Sequence, residues 1–309
     1  MTAIGLLRPP AVPINVTPDT VQLTLGQFST AEVALKGATV FSYIQNGVER
    51  LFTSSKSDVR KSDPAAVRGG VPICWPIFGP PPKDNVLYAK LKQHGFARTS
   101  VWEYVESESK CIGEQGVHAV FKLDPTPAIE ALFSLPFSLH YTVSLLPSGL
   151  TLSLRVSSPS SAIAPLPFQA LLHSYFRLPE GVLPPQVRVT PLENLTFVDK
   201  VAGGAHDTER RKTVEVDGPQ GEVDRVYYRA PNRLRMEWEG KSGAVEVHKK
   251  NLADVVLWNP GPEKGAAMGD MEENGASRYV CLEPGQVSSW ATLDPGASWE
   301  GSIELAFSD

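Results

Sequence analysis

Long apolar runs are missing from this chain. No stretch approaches the roughly 18 uninterrupted apolar residues that mark a membrane-spanning helix, so no membrane span is expected. The start, Met1 to Pro10, has neither a basic leader nor an apolar segment of signal-peptide length, and no secretory signal is expected. Cysteine is sparse: Cys74, Cys111 and Cys281 show no CxxC spacing. An odd, scattered set argues against a disulfide framework or a metal site and for reduced thiols in the cytoplasm. Positive charge is short as well, with 29 Lys and Arg against 34 Asp and Glu for a net −5. Without a basic excess to neutralise phosphates, a general nucleic-acid binder is excluded, although a small basic pocket is not. GxGxxG, the Walker loop, GxSxG and HExxH are all absent. Helical patterning is scarce, limited to short turns near 63–67, 127–133 and 265–272, and no βαβ alternation supports a Rossmann or TIM architecture.

What the chain does have is turn residues and period-two alternation. Its 309 residues carry 25 glycines and 27 prolines, and 42% of the residues are hydrophobic, enough for a sizeable core. Val21, Leu23 and Leu25 alternate with polar neighbours. The runs 41–45 and 48–52 flank Asn46-Gly47, whose tolerance of positive φ makes it a strong hairpin signal. Leu139, Tyr141, Val143 and Leu145 alternate, as do Leu150, Leu152, Leu154 and Val156 beyond a Pro147-Ser148-Gly149 turn. Further strands are expected over 101–105, 116–123, 169–178, 187–190, 195–198, 225–229, 233–239, 244–248, 255–258, 279–283, 288–293 and 299–307. Turns about every ten residues point to one large antiparallel β-sandwich. We read 1–19 as a Pro-rich N-terminal segment and 20–309 as a single all-β domain.

Four segments carry polar residues where a plain strand or turn needs none. Val67 to Pro80 is apolar and proline-rich, with a single charge, Arg68, beside paired glycines that could let backbone approach a ligand. Gln93, His94 and Arg98 surround an apolar turn. His173 sits inside a strand-like apolar run, where a hydrogen-bonded core histidine is the plainer reading. Glu283 closes an apolar strand before Pro284-Gly285, where desolvation can raise a carboxyl pKa or where it can simply bond nearby amides. A histidine and a glutamate in apolar settings suit general acid–base chemistry. Arginines, a glutamine and a second histidine suit a polyhydroxylated anion.

Taken together, six stretches resemble the aldose 1-epimerase superfamily, and within it the hexose-6-phosphate mutarotases. They are 68–79, 93–98, 172–176, 223–227, 256–260 and 281–285, in the family's order across roughly residues 20–305. The resemblance implies a β-supersandwich with no metal and no organic cofactor, acting on a small-molecule hexose 6-phosphate; a cytoplasmic monomer is expected. It places the catalytic pair on His173 and Glu283. The substrate-binding positions fall on Arg68, Gln93, Arg98 and Asp224, with His94 beside them. Asp224 is carried over on its Asp-Arg-Val-Tyr context, with Asp199 and Asp217 close by as alternatives. The implied reaction interconverts α and β anomers. A free-aldose 1-epimerase and a non-catalytic carbohydrate-binding module are the competing readings. The basic run 209–212, in a loop that does not align, is expected to be solvated.

Overall fold

Apolar residues at every second position favour strands that bury one face, and the protein is built from them. The computed structural model describes residues 12–63 and 65–309. Its strands pair antiparallel in three sheets of five, ten and eight strands. The five-stranded sheet runs in chain order from Ile14–Val16 to Val48–Glu49. Asn46 and Gly47 both have positive φ, 54° and 79°, and Gln45 pairs with Val48, so the expected two-residue hairpin forms. Ile14–Val16 pairs with Thr20–Leu25, while residues 1–11 of the proline-rich segment lie outside the described residues.

The ten-stranded sheet centres on Ser138–Leu146, Gly149–Ser157 and Ser298–Ser308. Register sets Leu139 opposite Val156, Tyr141 opposite Leu154 and Val143 opposite Leu152, all buried in the main core. Each such side chain contributes about 1.5–3 kcal/mol by leaving water. Phe168 of the eight-stranded sheet meets Trp299 of the ten-stranded sheet edge-on at 5.4 Å, which joins the two across that core.

The eight-stranded sheet positions the site. Its order is Ala205–Thr208, Thr196–Asp199, Val223–Tyr227, Asp254–Asn259, Tyr279–Leu293, Leu166–Leu172 and Ile73–Cys74, with Tyr175–Arg177 also paired to Tyr279–Leu293. Val255, Leu257, Val280 and Leu282 face the main core. Alternation therefore sends Asp224, Val226, Val256, Trp258, Cys281 and Glu283 to the opposite face.

Several expectations change. Strands 279–283 and 288–293 are one strand, Tyr279–Leu293, and Pro284-Gly285 is not a turn. A β-carbon on Gly285 would lie 2.9 Å from the Leu171 side chain, so glycine here permits close strand packing. Conversely, the expected strand 169–178 breaks at His173-Ser174. The helix expected over 265–272 is Gly261–Ala267, started earlier by Pro262 in its first turn, where a missing N–H costs nothing. The turn near 127–133 yields the helix Pro127–Glu130, capped by the Thr126 side chain. No helix forms among the described residues of 63–67.

Candidate functional site

Strand register brings the first two candidates together. Leu171 pairs with Gly285 and Tyr175 with Cys281, which leaves His173 opposite Glu283 where the ladder is interrupted. Pro284 has no N–H to give to the ladder, and the His173 amide donates outside it, to the Pro72 carbonyl at 3.0 Å. On its other side Glu283 pairs with Val256. The His173 ring stacks on Tyr175 at 4.7 Å and meets Trp258 edge-on at 5.6 Å. Nδ1 of His173 lies 3.3 Å from Oε1 of Glu283. The pair is nevertheless not hydrogen-bonded: Nδ1 and the Glu283 Oε2 atom are both buried without a partner.

The remaining candidates come from turns held against this sheet face. Gly95 has φ +72°, and a β-carbon there would lie 2.1 Å from the Trp75 carbonyl, so the turn needs glycine. The His94 ring accepts the Gly79 amide through Nδ1 at 3.1 Å, which puts the proton on Nε2, where the Gln93 carboxamide at 3.2 Å can accept it only by turning its oxygen toward the ring. Gln169 fixes the loop to the sheet by accepting from the Phe78 amide and donating to the Val287 carbonyl. Arg98 donates to the Gln93 carbonyl at 3.0 Å and keeps a buried Nε without a partner. The paired glycines before Val71 serve another purpose than the expected one. A β-carbon at Gly70 would lie 2.1 Å from the Val40 carbonyl, so the close approach is to neighbouring strands and not to a ligand.

These parts enclose one pocket of about 570 Å³. Arg68, Gln93, His94, Arg98, His173, Asp224 and Glu283, all seven candidates, line it. Sequence reasoning missed Lys200, Trp258, Tyr175 and Asp270. Lys200 lies 3.4 Å from Asp224 and 4.3 Å from the centre of the Phe78 ring. Asp270 accepts from Arg68 Nε at 3.1 Å. Of the alternatives to Asp224, Asp199 bonds Arg225 and Asp217 bonds Arg211, and neither lines the pocket. In the run 209–212, expected to be solvated, Arg210 and Lys212 are exposed, whereas Glu209 is buried, accepts from the Arg211 guanidinium through both carboxylate oxygens and accepts from the Tyr227 hydroxyl.

Burial drives the electrostatics. It pushes the Glu283 carboxyl well above its usual range, and Asp224 adds to the effect while Lys200 and Arg98 oppose it. It pushes His173 well below the usual imidazole range, helped by His94, Arg98 and Arg68. His94 falls to about 3 through burial, then the charges of Arg98, Lys200 and Arg68. Burial thus favours the neutral form of both rings and of the Glu283 carboxyl. His173, Cys281 and Glu283 each bring one potential ligand atom within 4.8 Å of the others. Because burial favours the protonated forms of both the Cys281 thiol and the Glu283 carboxyl, it works against metal binding there, which needs the deprotonated ligands.

The architecture is galactose mutarotase-like. It is similar to the crystal structure of a "putative mutarotase" from Salmonella typhimurium, with TM-score 0.78, 25% identity and coverage of 95% of this chain and 92% of that one. The chain belongs to the aldose 1-epimerase family, whose model matches residues 19–306. A relative from Cenchrus ciliaris named "Putative glucose-6-phosphate 1-epimerase" is 33% identical over 280 residues, 89% of this chain and 80% of its own. One of the same name from Escherichia coli (strain K12) is 29% identical over 283 residues, 89% of this chain and 87% of its own. The protein is thus an isomerase of the epimerase kind.

Proposed function

We propose that the protein is a glucose-6-phosphate 1-epimerase that interconverts the α and β anomers of hexose 6-phosphates. One observation carries the reading: a buried His173–Glu283 pair with free atoms opens on a pocket that also holds Arg68, Arg98 and Lys200. Glu283 takes the proton of the C1 hydroxyl as His173 delivers one to the ring oxygen. The bond from C1 to the ring oxygen breaks and an open-chain aldehyde forms. Rotation about C1–C2 presents the other face, and the same transfers in reverse close the ring. The pair carries one mobile proton before and after, so no external acid or base is consumed. Glu283 can act as the base only from the form of the pair in which that one proton sits on His173, a form that burial disfavours at rest. Each positioned group contributes roughly 10²–10⁴-fold.

Gln93 and Asp224 hold sugar hydroxyls, His94 presents Nε2–H, and the cations face the phosphate. Arginine forks onto phosphate oxygens, while Lys200 supplies a point charge. Trp258 offers an apolar edge to the sugar's C–H face. The free thiols fit a cytoplasmic protein. The test is Arg98→Gln. It is expected to raise KM for glucose 6-phosphate at least tenfold and to leave KM for glucose within twofold. Equal effects on both sugars would remove the phosphate assignment and favour a free-aldose enzyme.

A further inference from the structure

Arg68 is fixed at both ends by two chain segments that meet on one rim of the pocket. Its amide donates to Ser57 Oγ at 2.7 Å, and its carbonyl accepts from the Ser54 amide at 2.9 Å. Those serines belong to a stretch clasped to residues 270–272. The Ser55 amide donates to the Glu272 carboxylate at 2.7 Å, and the Glu272 amide donates to Ser54 Oγ at 2.9 Å. From the same short segment, Asp270 reaches the guanidinium: Oδ2 lies 3.1 Å from Nε and 3.0 Å from Nη2. Nη1 donates to the Tyr175 hydroxyl at 3.3 Å, and Tyr175 is the ring stacked on His173.

A guanidinium has five N–H donors in a rigid fork. Asp270 occupies the Nε–Nη2 edge and Tyr175 takes one hydrogen of Nη1. One hydrogen on each terminal nitrogen is left to donate to an oxyanion. With one edge committed to a carboxylate and one corner to a phenol, the fork cannot rotate about its long axis.

We infer that Asp270 is a positioning residue for substrate recognition, which holds Arg68 with these remaining donors toward the phosphate of a hexose 6-phosphate. This rests on the phosphate reading of the pocket. Asp270 does not line the pocket and acts only through Arg68. The alternative is that Asp270 competes with the phosphate as an internal anion. The two alternatives predict opposite signs.

The experiment is a double-mutant cycle on the intact enzyme with glucose 6-phosphate and glucose as paired substrates. Asp270→Ala is expected to raise KM for glucose 6-phosphate about tenfold, with kcat within twofold and the glucose parameters unchanged. Asp270→Glu, which retains a carboxylate, restores most of the loss. In the Arg68→Gln background, Asp270→Ala adds no further change. A lower KM in Asp270→Ala overturns the inference in favour of competition, and an additive loss in the double variant overturns it by showing a route other than Arg68. If Arg68→Gln itself affects both sugars alike, the phosphate reading fails first. If Arg68→Gln discriminates between the sugars and Asp270→Ala does not, only the positioning role fails. Should Asp270→Ala not fold, Asp270→Asn keeps one acceptor and is expected to give an intermediate KM; an unchanged KM in that variant counts against the role.

Discussion

Glu283→Gln keeps the side-chain volume and removes the ionisable group at a position 1% exposed. Two effects of opposite sign follow. In catalysis, losing one positioned acid–base group costs roughly 10²–10⁴ in rate, or about 3–5 kcal/mol at the barrier. In stability, the folded carboxyl holds its proton well above the ordinary 4.5, so unfolding at higher pH releases that proton. The unfolded state then binds fewer protons than the native one, and wild-type stability falls as pH rises from about 4.5 toward the folded value. Glutamine has no proton to release. The variant is expected to match wild type in thermal stability at pH 4 and to melt higher at pH 8, by roughly 2 °C for each kcal/mol relieved. Circular-dichroism melts at the two pH values read stability, and anomer-exchange rates read chemistry on the same samples. A Glu283→Gln enzyme within fivefold of the wild-type rate would refute the acid–base role. A melting temperature at pH 8 no higher than wild type would refute the desolvation argument.

Asp224 raises the Glu283 pKa by charge, so Asp224→Asn should move the alkaline limb of the kcat profile to lower pH; an unmoved limb would separate the two carboxyls. His173→Ala should lower the anomerisation rate at least a hundredfold with an unchanged near-ultraviolet spectrum, and full activity would mean the ring has no chemical role. Asp254 is fully buried and accepts from the Val287 and Ser288 amides, the Ser288 hydroxyl and the Arg229 amide. Asp254→Ala strands those donors beside the active-site strand and should cost about 3 kcal/mol in urea unfolding; less than 1 kcal/mol would show that water replaces the carboxylate.

Most of the site was legible because its residues stand out against their local background. His173 interrupts an apolar run, Glu283 ends one, and the glycine-flanked turns mark Arg68, His94 and Arg98. The strands were legible from alternation, and the Asn46-Gly47 hairpin from its two positive-φ residues. The opposition of His173 and Glu283 was not, because it depends on register between strands over a hundred residues apart in sequence. Pro284-Gly285 misled for a physical reason: it usually makes a turn, but here the missing N–H and the missing β-carbon fit a break in the ladder and a tight strand contact. Asp270 and Lys200 gave no local signal at all. Each lies in an ordinary polar stretch and gains its meaning only from the arginine or the carboxylate that the fold brings to it. The 209–212 run reads as solvated because it is dense in charge, and Arg210 and Lys212 are exposed; only Glu209 turns inward, onto Tyr227, and holds Arg211 there.

The most direct test of the central claim is the enzyme-dependent exchange between α and β anomers, followed by NMR saturation transfer on glucose 6-phosphate, glucose and galactose under one condition. The account predicts exchange that scales with enzyme concentration and a kcat/KM for glucose 6-phosphate at least a hundredfold above either free sugar. Faster exchange on a free sugar, or no enzyme-dependent exchange on glucose 6-phosphate, would contradict it.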